Sequence, residues 1–448
     1  MDRNITEFGA IGDGVTVNTK AIQSAIDQCA TTGGGRVTVP SGTFICGTIY
    51  LRNNVELFLE TASSVLKASS NYADYNPVDA YVQNAKSIAE KTNGGHFILA
   101  VEAENVSITG HGILDGSGDV FFEKEAKHHP NKFYCFWPDG MSVVADNKNT
   151  RPAQMVCFIE SKNILLNGIT IRNSPYWTVF LHGCDQVRIH QLRIDNPSTR
   201  LNGDGIDIDC TSNVTVSDCI ISTGDDAITL RGSNDRLKNK SKCTENVVIN
   251  NCILTSGGAN ALRVGVGNGL VRNALFSNLI LSKSVAGIHI VSKYADDGKA
   301  NGTTIDNIRF QNIIGSGLRI PVFINSGFST AAGISNITIS DCRFDLEHTC
   351  GIVGNGIAKL SNIVFSNLIF NIVNRLPGID SHEIDCQRYD TNSPSLDTVL
   401  IFANTDIVLE NVKLEFTPEI RSAWKHDVIS GENVNLSGNY HKIVSKVV

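Results

Sequence analysis

Residues 213–221 read Asn213-Val-Thr-Val-Ser-Asp-Cys-Ile-Ile221, a polar corner residue followed by apolar side chains at alternate positions. A period of two is typical of a β-strand and not of a helix. The same pattern, usually opened by Asn before a β-branched residue, recurs along most of the chain. Clear copies begin at residues 54, 105, 163, 186, 213, 246, 307, 336, 362 and 433, with weaker ones near 273 and 406.

This spacing predicts an all-β fold, a single-stranded right-handed parallel β-helix. The central copies follow one another at intervals of 23 to 34 residues, and a coil of that length can bury its apolar side only against neighbouring coils. Asn side chains at matching corners can stack and hydrogen-bond along the axis. A β-propeller is the main alternative, but its blades need roughly 40–50 residues.

The N-terminal segment departs from the strand pattern. Residues 19–30 have helical spacing, with Ile22 and Ile26 among the apolar positions and Asn18 as the expected N-cap. We expect this short helix to cap the open end of the solenoid, where strand edges would otherwise be exposed. Residues 33–35, three glycines, are expected to turn the chain into a strand at 36–39.

The repeat predicts one domain over residues 1–448. Residues 1–50 would form the cap and first coil, and 51–448 the remaining coils. Three less repetitive stretches, near 64–95, 118–151 and 371–397, are expected to be inserted loops. Loops built out from a rigid scaffold commonly shape a binding cleft.

Composition excludes several classes of protein. The 448 residues are 42% hydrophobic and 19% charged, with a net charge of −7. No apolar run approaches the roughly 20 residues of a membrane-spanning helix. An acidic chain has no general attraction for nucleic acid or anionic lipid, so we expect neither as a partner. The oligomeric state is not indicated.

The cysteines and the N-terminus indicate the cellular compartment in which the protein is expected. The twelve Cys form no CxxC pair and often lie in apolar runs, which fits free thiols in a reducing compartment at least as well as disulfides. Met1 leads into structured-looking sequence without a signal peptide. We therefore expect a cytoplasmic protein, with a secreted or periplasmic one whose leader was trimmed as the alternative.

Three aspartates are the leading candidates for chemistry. Asp204 lies in Asn-Gly-Asp, and Asp225 and Asp226 follow Gly224 one coil later, 21 residues beyond Asp204. Residues one coil apart stack at about 4.8 Å, so the three carboxylates should meet on one face. Gly224 is expected to permit a bend that turns both neighbouring aspartates outward.

Clustered carboxylates admit three interpretations. Mutual repulsion makes one of them hold a proton, which gives the acid beside a base that glycoside hydrolysis needs. The same residues could instead cap turns at the corners of coils. They could also form a Ca²⁺ site, which favours clustered carboxylates.

Motifs spread along the chain carry a family resemblance. They are residues 8–14 (FGAIGDG), 33–42 (GGGRVTVPSG), 110–116 (GHGILDG), 151–152 (RP), 173–177 (NSPYW), 202–204 (NGD) and 224–226 (GDD). Over roughly residues 5 to 370 the chain thereby resembles glycoside hydrolase family 28, the polygalacturonase family. The resemblance implies hydrolysis of α-glycosidic bonds in pectin-type polysaccharide or oligosaccharide, with no cofactor and no metal.

The resemblance also implies roles for the aspartates. Asp225 would be the general acid that protonates the glycosidic oxygen, and Asp204 and Asp226 would activate the attacking water. The implied mechanism inverts the anomeric centre, for which the acid and base are expected about 6.5–9.5 Å apart.

Two departures affect the expected substrate contacts. Asn260 stands where the family has the His of Gly-His-Gly, and His289-Ile-Val291 is the best match to its Arg-Ile-Lys. Asn can hydrogen-bond a sugar or an aspartate but cannot titrate. The full set of predicted substrate-binding residues is Asn202, Asn260, Arg231, Arg263, His289, Lys293 and Trp177. For the two arginines and the lysine a salt bridge is the alternative, and for Trp177 packing under a coil is the alternative.

Three other functions stay open. The same hydrolase chemistry could act on a rhamnogalacturonan-type or neutral glycan, because the Arg-Ile-Lys pattern, which in the family binds the galacturonate carboxylate, is lost. A Ca²⁺-dependent lyase could use Arg231 or Arg263 as its base. A solenoid that binds glycan without turnover is the third.

Overall fold

The computed structural model describes residues 2–76, 94–126, 144–146, 151–293, 301–358, 360–374, 398–431, 433–439 and 444–447. The chain divides into two compact units. Unit 1 comprises Met1–His129, Asp139–Asp225 and Arg236–Lys242, and unit 2 comprises Pro130–Pro138, Asp226–Asp235 and Cys243–Val448. A single domain over residues 1–448 therefore stays a prediction.

Unit 1 consists mainly of short strands. They are β1 Arg3–Asn4, β2 Asp13–Val17, β3 Gly35–Val39, β4 Gly42–Cys46, β5 Ile49–Tyr50, β6 Val55–Leu59, β7 Ser64–Ala68, β8 Ile98–Val101, β9 Glu104–Gly110, β10 Ile113–Asp115, β11 Phe122–Ala126, β12 Val144–Asp146, β13 Val156–Ile159, β14 Lys162–Asn167, β15 Thr170–Arg172, β16 Val179–His182, β17 Asp185–His190, β18 Arg193–Asp195, β19 Ile206–Asp209, β20 Ser212–Ser217 and β21 Ile220–Thr223.

Unit 2 continues with longer strands. They are β22 Ile228–Gly232, β23 Thr244–Asn250, β24 Ile253–Ser256, β25 Asn260–Gly267, β26 Leu270–Lys293, β27 Thr304–Gly327, β28 Ile334–Leu346, β29 Cys350–Val353, β30 Leu360–Ile372, β31 Thr398–Ala403, β32 Thr405–Phe416, β33 His426–Ser430, β34 Val434–Gly438 and β35 Val444–Val447. The helices are α1 Thr19–Thr31 and α2 Pro418–Arg421, with short 3₁₀ turns at Ile5–Phe8, Tyr72–Asp74, Gly118–Phe121 and Asn234–Arg236.

Parallel pairing between successive coils confirms the β-helix. In unit 1, Ile164 of β14 pairs with Val187 of β17, which pairs with Val214 of β20. In unit 2, β27 pairs in parallel with β28, and β28 with β30. These positions are buried, so the alternating apolar residues of the repeat form stacked columns in the core, as predicted. An antiparallel pair, β11 with β12, stands apart from the stack.

The repeated Asn residues are confirmed as stacked corners. Asn105 Nδ2 donates to Asn54 Oδ1 at 2.7 Å, Asn163 Nδ2 donates to Asn105 Oδ1 at 2.7 Å, and Asn362 Nδ2 donates to Asn336 Oδ1 at 2.6 Å. The backbone explains why Asn is used. These residues have φ between +54° and +62°, a left-handed conformation that Asn tolerates better than most residues.

The N-terminal helix is present and packs against β1, β3, β5 and β6, with Ile22 and Ile26 on its buried face. The predicted N-cap position is confirmed, because Asn18 is the N-cap residue of this helix. Asn18 does precede the helix, but its side chain makes no cap hydrogen bond. The side chain is buried and instead accepts from Ile11 N at 2.7 Å and donates to Thr16 O at 2.7 Å.

The loop boundaries need one correction. Ser64–Ala68 is a strand that pairs with β4 and β10, so the first predicted loop begins after it. The antiparallel pair of β11 and β12 lies within the predicted 118–151 loop. Of the three predicted loops, residues 77–93, 127–143, 147–150 and 375–397 lie outside the described residues. None of the helices in the described part of the chain has the length and hydropathy to cross a membrane.

Candidate active site

Unit 1 brings two of the predicted carboxylates together. Asp204 lies on the connection between β18 and β19, and Asp225 lies in the bend that follows β21. A carboxylate oxygen of each is within 4.8 Å of the other. The backbone N–H of Asn202 donates to Asp225 Oδ2 at 3.2 Å. Asp204 is buried and Asp225 half-buried, so the pair has one sheltered and one more accessible member.

The predicted spacing of about 6.5–9.5 Å between acid and base refers to the carboxyl groups as wholes, whereas the 4.8 Å limit joins one oxygen of each. That spacing therefore stays a prediction. Two carboxylates this close repel each other when both are charged, which favours a proton on one of them. The pair thus meets the requirement for an acid beside a base.

The predicted bend at Gly224 is present. The strand β21 ends at Thr223, and residues 224 and 225 form the bend that follows it. A Cβ on Gly224 would lie 2.3 Å from the carbonyl oxygen of Arg200 and 2.4 Å from its nitrogen. Glycine is thus required here by the close approach of the chain segment that leads to Asp204.

That segment is anchored by two arginines that sequence reasoning did not select. The buried Arg200 guanidinium pairs with Asp119, donates to Asn173 Oδ1 at 2.8 Å and lies 4.3 Å from the centre of the Phe122 ring. Burial lowers the pKa of Arg200, although the contact with Asp119 opposes that shift. Arg151 Nη1 donates to Leu201 O at 3.3 Å. Arg151 belonged to a family-like motif, whereas no pattern marked Arg200.

Trp177 is corrected from a substrate-binding residue to a packing residue. Its ring stacks on Tyr176 with centroids 5.3 Å apart and meets the edge of Phe180 at 5.4 Å. The side chain is buried in a cluster that also contains Leu99 and Leu237. A ring enclosed in this way offers no face for a sugar to stack on.

Unit 2 holds the third carboxylate in a polar cluster. Asp226 follows Asp225 directly and is buried. Its Oδ1 accepts from the backbone N of Asn260 at 3.1 Å and from Asn260 Nδ2 at 2.6 Å. Its Oδ2 accepts from Arg263 Nη1 at 3.1 Å. Asn260 opens β25 and Arg263 lies three residues further on, so one strand supplies all three donors. These contacts make Arg263 a partner of a candidate catalytic residue.

His289 joins this cluster from the next coil. It is the Cα partner of Arg263 in the pairing of β25 with β26, and its Nδ1 lies 3.2 Å from Asn260 Oδ1. Its Nε2 lies 3.2 Å from Nδ2 of Asn325 on β27. The sequence pattern did not predict Asn325 as a site residue. The signal that could have found it is register, because Asn325 pairs with Val291, the residue in place of the family's Lys.

The last two predicted cations occupy different strands. Lys293 ends β26 and is buried, and strand alternation puts it on the same side as His289. Arg231 lies on β22 at a half-buried position, and its carbonyl accepts from Thr244 Oγ1 at 2.6 Å. Their roles in substrate binding stay predictions.

Comparison with known proteins identifies the family. The sequence model described as Glycosyl hydrolases family 28 matches residues 29–358, well over half of the chain. The chain belongs to glycosyl hydrolases family 28. The predicted resemblance is therefore confirmed, and with it the assignment to a family of glycosidases.

Individual relatives of family 28 are more distant. The chain is 29% identical over 344 residues to the exo-poly-alpha-D-galacturonosidase of Dickeya chrysanthemi, which covers 69% of this chain and 55% of that protein. It is 24% identical over 361 residues to the endo-polygalacturonase of Pectobacterium carotovorum subsp. carotovorum, covering 78% and 83%. The chain thus spans about half the length of the first of these relatives.

A solved structure supports the fold. The exopolygalacturonase from Thermotoga maritima superposes with a TM-score of 0.70 at 21% identity, covering 92% of this chain and 91% of that chain. At this identity the likeness extends to the fold of family 28 and not to the sugar that is cleaved.

Proposed function

We propose that the protein hydrolyses α-glycosidic bonds in pectin-type, galacturonate-containing polysaccharides or oligosaccharides. The observation that carries the proposal is the close carboxylate pair of Asp204 and Asp225 in a chain of family 28. Relatives named as exo- and endo-acting polygalacturonases match it about equally well, so the proposal does not extend to the mode of attack.

The aspartates take the roles that the family motif assigns. Asp225, the half-buried member of the pair, is the proposed general acid. The buried Asp204 and Asp226 are the proposed bases that activate water. The three hydrogen bonds that Asp226 accepts from Asn260 and Arg263 fix the orientation of its carboxylate, as a base that must aim at a water requires.

Chromatography of the products from a panel of pectic oligosaccharides tests this proposal. Wild type should release saturated products that survive EDTA, and Asp225→Asn should lose at least about 100-fold in rate, the lower range for a general acid. Asp195→Asn, an exposed carboxylate paired with Arg193 on the same unit, is the matched control. Unsaturated, EDTA-sensitive products would instead identify a lyase, and binding without turnover a glycan-binding solenoid.

Product stereochemistry is a separate test of mechanism. The family motif implies inversion, whereas a retaining enzyme would use one carboxylate of the pair as a nucleophile. NMR of the first product should show the inverted anomer. A retained anomer would overturn the water-activating role of Asp204 and make it the nucleophile.

A second substrate class is favoured by one observation. Where the family has Arg-Ile-Lys this chain has His289-Ile-Val291, and Arg263, the nearest replacement cation on β25, is ion-paired with Asp226. A glycan that places a neutral sugar at this position, such as the rhamnose of a rhamnogalacturonan or a residue of a neutral polysaccharide, would need no such cation. Comparison of kcat/KM for galacturonate oligomers and for their carboxyl-reduced counterparts decides between the two, because kcat/KM should fall on reduction only if the site binds a uronate carboxylate.

A further inference from the structure

The polar cluster of unit 2 forms a chain of hydrogen bonds with one direction. A carboxylate oxygen of Asp226 can only accept, so the group of Asn260 that faces it at 2.6 Å is its NH₂. The amide oxygen of Asn260 therefore faces His289, at 3.2 Å from Nδ1. Because that oxygen can only accept, His289 must carry a proton on Nδ1.

The other side of the His289 ring has the opposite requirement. Nε2 lies 3.2 Å from Nδ2 of Asn325, and an amide NH₂ can only donate. Nε2 is then the acceptor and carries no proton. Asn325 is buried, and the Phe323 ring contacts the imidazole edge-on at 5.7 Å. Both neighbours come from β27, the strand next to that of His289.

We propose that Asn325 is a positioning residue that holds His289 as the neutral Nδ1–H tautomer. In this state the imidazole fixes the amide of Asn260, which in turn holds Oδ1 of Asp226. The inference deepens the proposed function and rests on it in one respect, since it treats Asp226 as a base of the reaction.

The surrounding charges favour the neutral ring. Arg263 is the Cα partner of His289 on β25, and Lys293 lies on the same strand, four residues on. Both cations oppose an imidazolium. The Asp226 carboxylate is separated from the ring by the Asn260 amide. The family motif has an arginine, which is always charged, at the position of His289. Here that position holds a neutral imidazole, which donates one hydrogen bond and accepts another.

The tautomer can be read directly by NMR on the whole protein with ¹⁵N-labelled histidine. The His289 signals are those that disappear in His289→Gln. At neutral pH, Nδ1 should have the shift of a protonated ring nitrogen and Nε2 that of an unprotonated one. An Nε2–H tautomer, or a charged ring, would overturn the proposal.

Asn325→Asp supplies the perturbation, because it keeps the size of the side chain and replaces its donor by an acceptor. Nε2 should gain a proton, and the His289 spectrum should become that of an imidazolium at neutral pH. We expect kcat to fall about 10-fold, the equivalent of one misplaced hydrogen bond, with KM nearly unchanged and a new step in the pH profile of kcat. An unaltered His289 spectrum would refute the role of Asn325.

Asn307→Gly is the matched control. Asn307 lies on the same strand at an exposed corner with φ +54°, which glycine adopts freely, so the His289 spectrum and kcat should not change. The NMR readings need no substrate and therefore stand if the pectic substrate is wrong. Conversely, a protein that cleaves pectic substrates but shows the wrong tautomer keeps the proposed function and loses this inference.

Discussion

The ion pair between Arg263 and Asp226 should be among the most costly polar contacts of unit 2 to break. Nη1 and Oδ2 are 3.1 Å apart, and the two side chains are 9% and 3% exposed. Coulomb's law at an effective dielectric of 20 gives about 5 kcal/mol for this distance, before the desolvation of both ions is subtracted. Removing one partner of a buried pair costs about 3–5 kcal/mol, because the other charge is left uncompensated.

For Arg263→Met we expect a loss of about 3 kcal/mol in the free energy of unfolding, at the lower end of that range. The reason is that Asp226 keeps both hydrogen bonds from Asn260. Methionine retains most of the apolar stem of arginine, so the loss reports the charge and not a cavity. Urea denaturation followed by circular dichroism measures it.

The surface pair of Arg272 and Glu245 provides the control. It lies in the same unit at 2.7 Å, but its side chains are 45% and 26% exposed. Arg272→Met should therefore cost no more than about 1 kcal/mol. The double variant Arg263→Met/Asp226→Asn should be more stable than Arg263→Met alone, since it removes the unpaired charge. Equal losses for the two arginines, or a double variant that is less stable still, would refute the reasoning.

Three further perturbations follow from the structure. Gly224→Ala should lower the free energy of unfolding by about 1–3 kcal/mol through overpacking and reduce activity, because its Cβ would meet the backbone of Arg200 at 2.3 Å. Gly431→Ala, whose Cβ would have its nearest atom at 3.2 Å, should be close to neutral in a thermal melt. Burial raises the pKa of Glu347, so the folded state binds the proton of this carboxyl more tightly than the unfolded state does. Glu347→Gln should therefore raise the melting temperature at neutral pH, and the difference should vanish below about pH 4. A gain that persists in acid would show that the charge of Glu347 is not its cause. In a variant that retains only the ten cysteines of the described residues, a thiol reagent should label Cys243 alone before unfolding, because the other nine are buried; rapid labelling of a second thiol would contradict this.

The fold could be predicted because one physical requirement repeats with every coil. Each corner needs a residue that tolerates positive φ and whose side chain can bond its neighbour along the axis, and Asn satisfies both conditions. The repeat thus appears in the sequence as Asn54, Asn105 and Asn163 at the same place in successive coils. Asn18 was likewise predicted correctly as the N-cap by its position, but its side chain bonds the nearby loop instead of the helix, which the sequence pattern does not show.

The candidate site was predicted only in part. Asp204 and Asp225 were found because their spacing matches one coil, and their contact follows from the stacking. Arg200 lacks such a mark, because it lies on the connection between β18 and β19, whose path depends on tertiary packing. Asn325 lies on β27 and is marked only by its register with Val291, which becomes visible once the pairing of β26 with β27 is known.

The two departures from the family motif are parts of one arrangement. An amide at residue 260 donates to Asp226 and accepts from His289 at any pH, whereas a histidine there would do both only while neutral. Placing the imidazole at residue 289 moves the titratable group one coil away from Asp226, with an amide that cannot change its protonation between them. The orientation of Asp226 therefore depends less on pH. The same change removes the cation that the family motif would direct at a substrate carboxylate. On this reasoning Asn260, His289 and Asn325 act as a set, and the substrate preference of the protein should be sought in that set before it is sought in the aspartates.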